Sequence, residues 1–113
     1  LGEALALVRD LPVEPSRIID VLAESPGGAN AMKIIGAMLA EAWTSGQEPA
    51  GFFPLGGVRK DGNLMLDAAS RQAMPLPVLE AALASYDEAA AAGWGARPLF
   101  AQALYRRSTA PDR

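Results

Sequence analysis

The chain has 113 residues, half of them apolar and a fifth charged, with a formal net charge of −3 and a pI near 4.8. That length and balance suit one compact globular domain. Cys and His are both missing. This excludes disulfides, thiolate metal sites, cysteine nucleophiles and imidazole bases, and leaves chemistry to lysine, carboxylates, Asn, Ser, Tyr and backbone groups.

Basic residues are scattered apart from Arg106–Arg107. Binding to a phosphate backbone needs a clustered basic face, so no nucleic-acid partner is expected. No apolar run approaches the length of about 18 residues that a membrane span requires, so no membrane partner is expected either. The first residue is Leu and the helical pattern is already running, which leads us to expect a piece of a longer protein.

Apolar spacing of three and four recurs almost throughout, and no stretch alternates as a strand would. Leu1, Leu5 and Val8 share a face of a first helix that Pro12 stops. A second helix is expected from Pro15, with Ile18, Ile19, Val21 and Leu22 as its apolar face, ending at SPGG (25–28). A third runs from about Asn30 to Trp43, with Ile34, Ile35, Met38, Leu39 and Ala42 on one stripe. The stretch TSGQEPAGFFPL reads as loop. A fourth helix is expected over about Leu55–Ala73, a break at MPLP (74–77), a fifth helix over Pro77–Ala92, and a last over Pro98–Arg106 after GWG (93–95). The fold class is therefore all-α, a bundle of five to six helices, with a frayed tail at 108–113.

The fourth helix carries the one pattern with chemical content. Lys60, Asn63, Asp67 and Arg71 are spaced by three and four and form one polar stripe. On periodicity alone such a stripe reads as a solvated face. Gly56, Gly57 and Gly62 on the same helix each cost helix propensity, roughly 1 kcal/mol against Ala, which suggests close approach of a ligand or another backbone. Elsewhere, SPGGAN (25–30) reads as a turn and cap rather than an anion site. Trp43, Phe52 and Phe53 read as core anchors, with an interface patch as the alternative. Tyr86 and Tyr105 read as packing residues, Asp87–Glu88 as a solvated face, and Glu41 with Glu48 make no metal site.

The phrases LGEALALVRD, IIDVLAES, Met38–Leu39, EPAGFFP, RKDGNLMLDAA, MPLP and ASYDEAAAAGWG follow in an order that resembles the C-terminal helical domain of the β-hydroxyacid dehydrogenase family. That family includes the 3-hydroxyisobutyrate dehydrogenases and is similar to 6-phosphogluconate dehydrogenase in its C-terminal domain. The resemblance implies that residues 1–107 form the cleft-closing and oligomerisation domain of a two-domain, cytoplasmic, homo-oligomeric enzyme acting on a small hydroxyacid with NAD or NADP. It also implies a separate N-terminal dinucleotide-binding domain, not present in this chain, as the intramolecular partner. Lys60 matches the lysine of the family's Lys-Asp motif and Asp61 its acid, and with Asn63 and Asp67 they are the expected cofactor- and substrate-binding residues. The family's substrate loop and catalytic lysine helix would lie upstream of Leu1. No catalytic residue is therefore expected here, no metal, no cofactor bound to this chain alone, and no turnover by it. Where the family reads Lys-Asp-Leu this chain has Gly62, and no G-x-G-x-x-G fingerprint is present. Two rivals are an imine-reductase-like oxidoreductase domain and a non-catalytic helical interaction module.

Overall fold

A computed structural model of the chain describes residues 8, 10–26, 28, 30–50 and 52–111. The helix expected over residues 1–9 lies outside these apart from Val8. Five α-helices follow: α1 (Pro15–Glu24), α2 (Asn30–Ser45), α3 (Leu55–Arg71), α4 (Pro77–Ala89) and α5 (Ala101–Ser108). Among the described residues there is no strand, only an isolated antiparallel bridge between Pro54 and Pro98. The all-α reading holds. Proline opens both α1 and α4, where its missing donor is not needed. The fifth expected helix stops short, because α4 gives way at Ala90–Trp94 to a π-type turn in which Gly93 takes φ 88°.

Contacts divide the chain into two compact units, residues 1–50 with 103–113 and residues 51–102. In the first, α1 packs on α2 through small residues. Gly36 is buried, and a Cβ there would stand 2.5 Å from Cγ2 of Ile19, itself 3% exposed. Leu39, Ala40 and Ala42 complete the buried face of α2. This seam corrects the expected apolar stripes: Val21 and Ile34 point outward, 72% and 64% exposed. Each lies two residues from a seam residue (Ile19, Gly36), about 200° round the helix. Trp43 is half-buried, with the Arg107 guanidinium 4.2 Å from its ring centroid.

Lys33 of α2 reaches Glu24 at the end of α1, Nζ to Oε1 2.8 Å. The hydrogen bond from Lys33 and then its charge hold the Glu24 carboxyl below the ordinary glutamate range. A depressed acid adds stability that is fully present above its unfolded pKa and is lost as pH falls through the folded value. Carboxyl-carbon NMR is expected to show Glu24 titrating low in the native protein and at the ordinary glutamate value in Lys33→Met.

In the second unit, α3 packs on α4. Leu55 is fully buried at the start of α3, and Gly62 and Ala69 continue its buried edge at intervals of seven. Leu83 of α4 lies directly over Gly62. Phe52 and Phe100 pack as tilted rings with centroids 5.8 Å apart. Gln102 Nε2 donates to Ser85 Oγ over 2.5 Å.

The C-terminus of α3 closes as a Schellman motif. Met74 N–H donates to Ala69 O (3.0 Å) and Ala73 N–H to Ser70 O (3.1 Å). The left-handed position is held by Ala73, at φ 52°, where a Cβ is strained by roughly 1–2 kcal/mol. Ala73→Gly relieves that strain and returns part of it as unfolded-state entropy, so the net expectation is a gain of about 0.5–1 kcal/mol in urea unfolding.

Candidate functional site

The start of α3 has no side-chain cap, since its N-cap residue is Pro54. Its first free amides are met by another stretch of backbone. Leu55 N–H donates to Arg97 O and Gly56 N–H to Gly95 O, both 2.8 Å, while Leu99 N–H returns to Phe53 O at 2.9 Å. A Cβ on Gly56 would lie 3.2 Å from the Gly95 carbonyl oxygen, so the close approach of a backbone expected from the glycines is realised there by residue 95. The anion-binding capacity of this helix terminus is thereby used up within the protein. Gly62 serves the Leu83 contact, which is why the leucine of the family's Lys-Asp-Leu has no space here.

Lys60, Asp61, Asn63 and Asp67 are all exposed. Lys60, Asp61 and Asp67 have no hydrogen-bond or ion-pair partner among the described residues. Asn63 Nδ2 donates to Arg59 O at 2.9 Å, one turn back on the same helix. Lys60 and Asn63 are neighbours on one face, and Asp67 stands about 10 Å beyond Lys60 along the axis and about 6 Å beyond Asn63. Asp67 instead borders a groove of about 470 Å³ at the far end of α3 with Ser70 and Glu80. Asp61 lies about 100° round the helix from Lys60. The helix thus presents one unpaired ammonium beside an amide, with carboxylates set off from it. That pair can donate hydrogen bonds to a phosphate or carboxylate.

Two further connections were not read from the sequence. Arg59, next to Lys60, pairs with Asp87 of α4, Nε to Oδ1 2.5 Å. Asp87 is therefore tied to α3 rather than merely solvated. The guanidinium of Arg97 lies over the Trp94 ring, 3.4 Å from its centroid. The missing cap at Pro54, followed by two glycines, is the signal from which an external partner for α3's amides could have been inferred. At the other candidate turn, Ser25 Oγ donates to Leu22 O (2.6 Å) and Gly28 N–H to Ser25 O (2.8 Å), an ordinary closure of α1, with Gly27 and Ala29 outside the described residues. Burial raises the Tyr86 hydroxyl above its ordinary pKa, and Tyr86 is half-buried. No group of three or more potential metal ligands occurs among the described residues, and no helix among them is long and apolar enough to cross a membrane.

Among the described residues these features define an all-helical domain with an exposed lysine on one helix face. The model of a protein family described as NAD-binding of NADP-dependent 3-hydroxyisobutyrate dehydrogenase matches residues 1–104, and the chain belongs to that family. No curated protein matches it. The description attaches NAD binding to the matched region itself, which corrects the expectation of a C-terminal domain with NAD bound on a separate N-terminal one. A Gly-rich dinucleotide fingerprint needs a strand leading into a helix. No strand is present among the described residues, so they hold no such fingerprint.

Proposed function

We propose that the chain is the helical, NAD-contacting domain of an NAD(P)-dependent β-hydroxyacid dehydrogenase, closing a cleft over cofactor and substrate. The family match over residues 1–104 carries this reading. The exposed Lys60 on α3, without a partner among the described residues, supports it. When bound, NAD(P) supplies or accepts the hydride. The residues of this chain bind and orient. Lys60 donates to a phosphate or carboxylate, and its charge gains strength as closure removes water. Asn63 adds a neighbouring donor and acceptor, Asp61 stands beside the lysine as in the family's motif, and Asp67 continues the stripe toward the end of α3.

The same reading makes the enzyme cytoplasmic and a homo-oligomer. Leu64, Met65, Met74 and Val78 are more than half exposed and offer apolar surface for subunit contact. That exposure also favours the second reading, a helical interaction module without catalysis.

A charged hydrogen bond contributes about 1.5–3 kcal/mol, so in the full-length protein Lys60→Ala is expected to weaken binding of NADPH or of a small β-hydroxyacid by roughly ten- to a hundredfold. Lys60→Arg should retain part of that affinity. Calorimetric titration of both ligands is the test. Unchanged affinity for both in Lys60→Ala would remove the dehydrogenase role of this helix and leave the interaction module.

A further inference from the structure

The sequence GWGARP (93–98) is not used by the function argued so far, yet its backbone is hydrogen-bonded to the start of the helix that carries Lys60. Carbonyls 95 and 97 accept from the first two amides of α3. The Pro54–Pro98 bridge and the bond from Leu99 N–H to Phe53 O extend that pairing on the other side. The loop is shaped by the π-type turn and left-handed Gly93 before it, and by the Arg97 N–H donating to Trp94 O at 3.0 Å. Its two large side chains are stacked on each other, guanidinium over indole. Lys60 follows Gly56 by four residues and so stands on the same helix face, one turn beyond the clamped amides. Side chains of a helix lean toward its N-terminus, and glycine at 56 puts nothing in the path of the lysine stem.

We propose that Trp94 and Arg97 are positioning residues for Lys60: their stacked pair holds the 93–98 loop in the form whose carbonyls cap α3, and this fixes the first turns of the helix and the approach of the ammonium. The inference rests on the reading of Lys60 as a group that meets cofactor or substrate. It concerns the part of the site that the family's Lys-Asp motif does not describe.

The test is Trp94→Ala in the full-length protein, with two readouts. Amide hydrogen exchange at Leu55 and Gly56 is expected to accelerate tenfold or more, while amides in α2 and around Leu83 keep their protection. NADPH affinity, or that for the hydroxyacid, is expected to fall in the same ligand that Lys60→Ala affects, and Trp94→Ala should add nothing in a Lys60→Ala background. Trp94→Phe keeps an aromatic face for the guanidinium and should preserve both readouts. Should Trp94→Ala fail to fold, Arg97→Ala carries the same expectations. Unchanged exchange at Leu55 and Gly56 overturns the clamp. Faster exchange with wild-type affinity, where Lys60→Ala does weaken binding, overturns the positioning role and leaves the lysine's role intact. If Lys60→Ala binds both ligands as the native protein does, the lysine reading fails first and the positioning proposal falls with it.

Discussion

Gly62→Leu is expected to destabilise the protein by about 2–3 kcal/mol, the usual upper range for overpacking a filled interior. The contact explains the size. Leu83 is 5% exposed, and its Cγ would stand 3.0 Å from a Cβ placed on Gly62, with both methyl carbons closer still. A branch point that near cannot be cleared by turning the end of a side chain. Leucine has a helix propensity about 1 kcal/mol better than glycine, but this offsets only part of the clash. The decisive measurement is a double-mutant cycle in urea. Leu83→Ala alone costs about 2–4 kcal/mol as a core truncation. Combined with Gly62→Leu it should cost at least about 1 kcal/mol less than the sum, because the introduced leucine occupies the vacated space. Additive losses, or a Gly62→Leu protein as stable as the native one, would show that α3 and α4 do not meet at this seam.

Leu55→Ala is the second large effect, a loss of about 3 kcal/mol within the range for buried leucines. Leu39 and Leu55 are the largest side chains that are fully buried among the described residues, and Leu55 lies in the first turn of α3. Total stabilities run to about 5–15 kcal/mol, so one such truncation removes a large share. With a urea m-value of roughly 1.5 kcal/mol/M, the unfolding midpoint should fall by about 2 M. Leu64→Ala is the matched control. It lies on the same helix but is 58% exposed, and its effect should stay within about 0.5 kcal/mol. Equal effects from the two variants would contradict the burial pattern of α3.

Much of the secondary structure was legible because local rules carry it. Proline at the first helical position marks Pro15 and Pro77, three-and-four spacing marks the helical runs, and the all-α class follows from the lack of alternation. The apolar stripes were read less well. Val21 and Ile34 look like core from hydrophobicity alone, but the α1–α2 seam runs through Gly36, Ala40 and Ile19, since small residues let helices approach closely. Hydrophobicity says which residues favour burial, and the partner helix decides which face is covered.

The candidate site divides in the same way. The stripe of Lys60, Asn63 and Asp67 is a matter of spacing along one helix, so the sequence by itself determines that these side chains share a face. The need for an external cap on α3 is also readable, since Pro54 has no side-chain acceptor to offer. Only the tertiary structure decided that residues 95 and 97 meet that need, that Asp87 pairs with Arg59, and that Gly62 lies under Leu83 rather than beside a ligand. Those contacts join residues 21 to 42 positions apart. Local propensity acts within a turn or two, and bringing distant segments together is the work of packing.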